Sequence, residues 1–135
     1  MLVELPVPKS LRLIFQRNGS PQSVRKGVIL FREGEKASGV YLVATGKVRL
    51  WMNVKSGKAL KMKEVGPGGL LGLPATLSET RYSLTAIAAA PSQVIFMTRG
   101  PLVEFMRREP EAALELLSNL SSDLRDLRKK MAQQN

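Results

Sequence analysis

The stretch "FREGEKASGVYLVATGKVRLW", Phe31 to Trp51, sets the texture of the chain. Two apolar runs, "VYLVAT" (40–45) and "KVRLWMNV" (47–54), are separated by Gly46 alone. Gly34 and Gly39 punctuate the residues before them. Short runs rich in β-branched and aromatic residues, bounded by glycine, read as strands. The texture begins near Val24 and lasts to about Met97, with further runs "VILF" (28–31), "KALKMKEV" (58–65), "LTAIAAA" (84–90) and "QVIFM" (93–97). "ATGKV" and "VKSGKAL" read as hairpin turns. Turns this regular predict a compact antiparallel sandwich or barrel.

Helical patterns flank this region. In "KSLRLIFQRN" (9–18), Leu11, Ile14 and Phe15 recur at helical spacing, and Gly19 ends the pattern. After Met97, "GPLVEFMRR" (100–108) reads as a short helix. Pro110 suits a new first turn, and Glu111 suits the positive end of its dipole. From there Ala113, Leu117, Leu120, Leu124, Leu127 and Met131 alternate steps of four and three. That is a heptad seam over nearly three heptads, and it predicts a homodimer through the C-terminal helix. The expected layout is one domain over 1–135: an N-terminal helix within 1–20, a β-roll over 22–98 and helices over 100–132.

Composition excludes much. The chain has 135 residues, no Cys and no His. Thiol catalysis, disulfides, cysteine-held metals and Ser-His-Asp chemistry are therefore excluded. Acids in the first sixty residues are Glu4, Glu33 and Glu35 only, so no carboxylate pair suggests itself and no enzyme is expected. The formal charge is +10, and it is uneven. Residues 1–60 carry 11 Lys and Arg against 3 acids, a balance of +8; residues 61–135 carry 10 against 8, a balance of +2. Arg25, Lys26, Arg32, Lys36, Lys47, Arg49, Lys55 and Lys58 should be mostly exposed around the strands. No apolar run approaches the roughly 18 residues of a membrane span, and "MLVELPVPKS" does not read as a signal peptide. A cytoplasmic protein with no membrane partner is expected.

The order of helix, glycine-punctuated strands, short helix and long helix now supports a name. "FREGEKASGVYLVATGKVRLW" resembles the first signature of the cyclic nucleotide-binding domain, the family of the catabolite activator and fumarate–nitrate (Crp/Fnr) regulators. Gly34 and Gly46 fall on its turn glycines. "LLGLPATL" followed by "YSLTA" resembles its phosphate-binding cassette, with Gly72 on the cassette glycine. The resemblance covers roughly residues 9–130. It implies a mainly β fold with flanking helices, a jelly-roll-like double-stranded β-helix (an eight-stranded β-roll) followed by a short and a long helix. In transcription regulators of this family a helix-turn-helix module follows; none is expected within these residues.

The cassette departs from the family's pattern. Where nucleotide-binding members carry a ribose-holding Glu, this chain has Leu73. Where they carry a phosphate-pairing Arg, it has Tyr82, with Arg81 one residue early. Pro74 also removes a backbone N–H from the turn. A buried phosphate needs its charge met, and a one-residue slip in a strand turns a side chain to the opposite face. The candidate pocket residues are Leu71, Gly72, Leu73, Pro74, Ala75, Arg81, Tyr82 and Ser83. They suit an apolar ligand, or simply fill the interior. No metal or cofactor is expected, and cyclic AMP or cyclic GMP should bind poorly. The first reading is a regulatory sensor domain in signal transduction or transcription, acting as a homodimer or through a protein partner that supplies the output. One alternative is a working cyclic nucleotide receptor using Arg81 and backbone amides. Another is a basic nucleic-acid-binding protein; specific DNA recognition is not expected without a base-reading helix.

Overall fold

In the computed structural model, which describes residues 7–53 and 57–118, the glycine-spaced runs form two four-stranded antiparallel sheets. One sheet orders β1 (Ser20–Val24), β8 (Ser92–Met97), β3 (Val40–Thr45) and β6 (Leu70–Leu71). The other orders β2 (Ile29–Phe31), β7 (Thr85–Ala88), β4 (Val48–Asn53) and β5 (Ala59–Val65). Helices α1 (Lys9–Asn18), α2 (Leu73–Ser78) and α3 (Arg99–Arg108) flank them, and helical backbone resumes over residues 110–118. The fold is mainly β with flanking helices, a β-roll of the expected class.

Three local features differ from the sequence reading. "ATGKV" is not a hairpin turn, because β3 and β4 lie in different sheets. Gly46 carries the chain across the corner at φ 94°, and a Cβ there would lie 2.6 Å from Ser92 Cα. Only glycine fits that approach and that dihedral. Strand β1, "SPQSV", went unread because its polar residues are almost all exposed and give no apolar period. Among the described residues it is an edge strand paired with β8 alone, which is where Pro21 is tolerated. Strand β6 is two residues long, too short for periodicity. "VKSGKAL" does join paired strands, with Asn53 opposite Ala59.

Two clusters make the core. Inside the roll, Phe31, Val43, Val48, Met62, Leu71 and Val94 are buried together. On the other face of the β3–β8 sheet, Val40, Leu42 and Met97 meet Leu11 and Phe15 of α1 and Leu102 and Phe105 of α3. Alternation along β3 divides the two, Leu42 to the helices and Val43 to the roll. Leu116 joins the helical cluster and Ala113 is buried, whereas Leu114 is 67% and Leu117 39% exposed. Of the seam positions, Ala113 is thus covered by its own chain and Leu117 is open. Leu120, Leu124, Leu127 and Met131 lie outside the described residues, as does Lys55.

The basic residues around the roll are exposed at Arg25, Lys26, Arg32, Lys36, Lys47 and Lys58. Arg49 is a correction, being half-buried on β4 with its Nε 2.7 Å from Glu64 Oε2. Its strand register opposite Glu64 explains the pairing. Among the described residues, no helix is long and apolar enough to cross a membrane.

Candidate functional site

The turn after β6 is built on Gly72, whose φ of 80° caps the start of α2. Pro74 sits in the first turn of that helix, where its missing N–H leaves no helical bond unmade. Glu79 closes the helix in the left-handed region at φ 55°. The chain then runs through Thr80 and Arg81 into Tyr82, which is only 4% exposed.

Tyr82 dominates the segment that follows α2. Its ring stacks on Phe31 with centroids 3.9 Å apart and planes 17° from parallel. Its hydroxyl donates to the Gly39 carbonyl at 2.7 Å and accepts from the N–H groups of Ser38 and Gly39, each at 3.2 Å. A phenol can do both at once, so its hydrogen-bonding capacity is spent. A Cβ on Gly72 would stand 2.7 Å from Tyr82 Cε1. The cassette glycine is therefore packed directly against the tyrosine edge. Tyr41 extends the aromatic group, 6.0 Å from Phe31 and 4.9 Å from Phe96 between centroids. Burial, with electrostatic interactions with Tyr82 and Glu35 adding to it, pushes the Tyr41 phenol above its ordinary value. It stays protonated at neutral pH, with its hydroxyl 3.3 Å from the Leu30 carbonyl.

The structure brings Leu71, Gly72, Ala75 and Tyr82 together at the roll interior. It separates the others. Leu73 belongs to the helix-side cluster with Leu102, Phe105 and Leu116. Arg81 is exposed and donates from Nη1 to the Gly34 carbonyl at 2.7 Å. Arg81 and Tyr82 thus point to opposite sides, as alternation requires. Ser83 is exposed and Pro74 half-buried. Among the described residues, the buried polar side chains are Thr76 and Ser92, and none is charged.

Three partners of the site were not legible in the sequence. The Ser38–Gly39 cradle lies more than forty residues from Tyr82, and no local pattern links them. Thr76 is 2% exposed, and its Oγ1 is the buried side-chain oxygen without a hydrogen-bond partner among the described residues. Arg99 ties α3 to α2 through the Leu77 carbonyl, at 3.4 Å from Nε and 3.3 Å from Nη2, and through Glu79 at 3.7 Å.

Comparison with known proteins agrees with this fold. The family model for the cyclic nucleotide-binding domain matches residues 21–109. A cyclic AMP receptor protein of Thermus thermophilus is 33% identical over 112 residues, covering 83% of this chain and 50% of the relative. The mouse patatin-like phospholipase domain-containing protein 7 is 28% identical over 101 residues, 75% of this chain but 8% of that protein. Among solved structures, the Thermus thermophilus catabolite activator protein superimposes with a TM-score of 0.80 at 27% identity, covering 93% of this chain and 59% of that one. The chain thus spans half or less of the curated relatives it matches.

Proposed function

Because the chain belongs to the cyclic nucleotide-binding domain family, we propose that it is a non-catalytic regulatory module of the Crp/Fnr type, whose cassette is closed by its own tyrosine. The observation that carries this reading is the Tyr82 hydroxyl held by Ser38 and Gly39 while the ring packs on Phe31 and Gly72. The position that would pair a phosphate is a phenol that donates to the Gly39 carbonyl, and Arg81 is committed to Gly34 at the surface. A cyclic nucleotide would have to displace the tyrosine and then bury its phosphate without a cation, which is costly. The domain would act as a homodimer through its C-terminal helix, with a partner supplying the output.

Leu73 shapes the test. Placing a carboxylate there would bury it beside Leu102 and Phe105, so the ribose contact cannot be restored by that change alone. Tyr82→Arg opens the cradle and supplies the cation. The variant should be less stable than the parent, and millimolar cyclic AMP or cyclic GMP should raise its melting temperature by several degrees. The unmodified protein should not respond. Equal shifts in both would sink the reading.

A further inference from the structure

The outer face of the β2–β7–β4–β5 sheet carries a second surface, away from the cassette. Strand register sets Ile29, Ile87, Arg49 and Glu64 in one row across the four strands. The next row is Thr85, Trp51 and Lys61. Ile29 is 39% exposed, and Ile87 and Trp51 are half-buried with no further layer over them among the described residues. Around these apolar side chains stand Lys47, Arg49 and Lys61. All three converge on Glu64, at 3.8, 2.7 and 3.6 Å. Three cations share one carboxylate, so the cluster retains two positive charges. Glu33 lies at the far end of the sheet, where its Oε1 already accepts the Asn53 N–H at 2.9 Å.

Apolar side chains on neighbouring positions of an open, otherwise charged sheet face can form an interaction site. Trp and Arg are the side chains that carry most energy when such a site is covered, and a charged rim selects the partner's sign. The geometry points to this face as the docking surface for an acidic polypeptide segment with apolar residues among its acids. Charge complementarity chooses the sign of the partner. The isoleucines choose protein over a nucleic-acid strand, because a stacking platform uses successive aromatic rings and this face offers one. This assigns the protein partner that the regulatory reading requires, but it rests on a different surface, so the cassette experiment and the one below fail independently.

Trp51 is the single tryptophan of the chain, so its fluorescence reports on this face. The probe is a twelve-residue peptide alternating glutamate and leucine, titrated into the full chain at low salt. A peptide alternating lysine and leucine and a ten-nucleotide oligothymidylate serve as controls. The acidic peptide should shift the Trp51 emission and saturate, with a dissociation constant on the order of 10–100 µM. Lys61→Glu should weaken it roughly tenfold, and Glu64→Gln, which removes the competing carboxylate, should tighten it about threefold. Lys9→Glu, on α1, should leave it unchanged within a factor of about two. The opposed effects of Lys61→Glu and Glu64→Gln separate a docking role from a folding defect, which would weaken both. No emission change with the acidic peptide, equal response to the lysine peptide, tighter binding of oligothymidylate, or equal sensitivity to Lys9→Glu would each overturn the proposal.

Discussion

At Gly72 two constraints coincide: a left-handed backbone and the Tyr82 ring 2.7 Å from where a Cβ would sit. Gly27 has the same kind of dihedral, φ 92°, with nothing within 4 Å. Gly27→Ala should therefore cost only the backbone penalty, about 1–2 kcal/mol, and Gly72→Ala should cost more. Denaturant unfolding of the two variants reads the difference as the price of displacing Tyr82. Tyr82→Phe keeps the stack but leaves the Ser38 and Gly39 groups without their partner, for a loss of about 1–3 kcal/mol. If Tyr82→Phe proves neutral in the same assay, the hydroxyl is not what holds the cassette shut. The sequence made Tyr82 conspicuous as the residue standing where an arginine was expected. It could not show what the tyrosine does there, because Phe31 and Gly39 reach it only through the fold. Glu64 gives a pH signature. Its hydrogen bond with Arg49, helped by Lys47 and Lys61, holds its carboxyl below the usual carboxylate range. A depressed folded-state value means stability that is present above the unfolded value and lost as pH falls through the folded one. The melting-temperature gap between the parent and Glu64→Gln should be small, as for most surface ion pairs, and should close as pH drops below the ordinary carboxylate range.

Elements with an apolar rhythm were legible, and those without one were not. Strand β3 matches the run "VYLVAT" residue for residue, because both of its faces are covered. Strand β1 has four exposed residues before the half-buried Val24 and so no apolar alternation to announce it, and its place is fixed by the ladder with β8. The Gly46 corner was misread because a glycine turn between two apolar runs looks the same whether the strands pair or part. Whether they pair depends on β7 and β8, which arrive some forty residues later. Along the C-terminal helix, Ala113 and Leu116 face the domain while Leu114 and Leu117 face outward. A seam starting at Leu117 and continuing through Leu120, Leu124 and Leu127 would bury about 1.5–3 kcal/mol per fully covered leucine. Leu124→Asp should therefore give a monomer in light scattering where the parent is a dimer. A parent that is already monomeric at tens of micromolar would remove the seam.

For the whole molecule, charge and cassette make separate demands. A net charge of +10 attracts polyanions, but among the described residues Arg25, Lys26, Arg32, Lys36, Lys47 and Lys58 are spread around the roll rather than set on one groove-reading helix. Random duplex DNA should therefore bind only at low salt and be released by moderate salt. A mobility-shift series across salt checks this, and tight binding of one sequence at physiological salt would contradict it. The family likeness directs attention to cyclic nucleotides, while the reading proposed above has a satisfied phenol and apolar packing close the cassette. Losing both the carboxylate and the arginine contacts should cost on the order of 4 kcal/mol, near a thousandfold in affinity. The most direct measurement is a calorimetric titration of the unmodified chain with cyclic AMP and with cyclic GMP. Neither should give heat of binding below millimolar concentration. Saturable micromolar binding of either nucleotide would mean that Tyr82 yields and Arg81 reaches the cassette, and that the domain is a working nucleotide receptor.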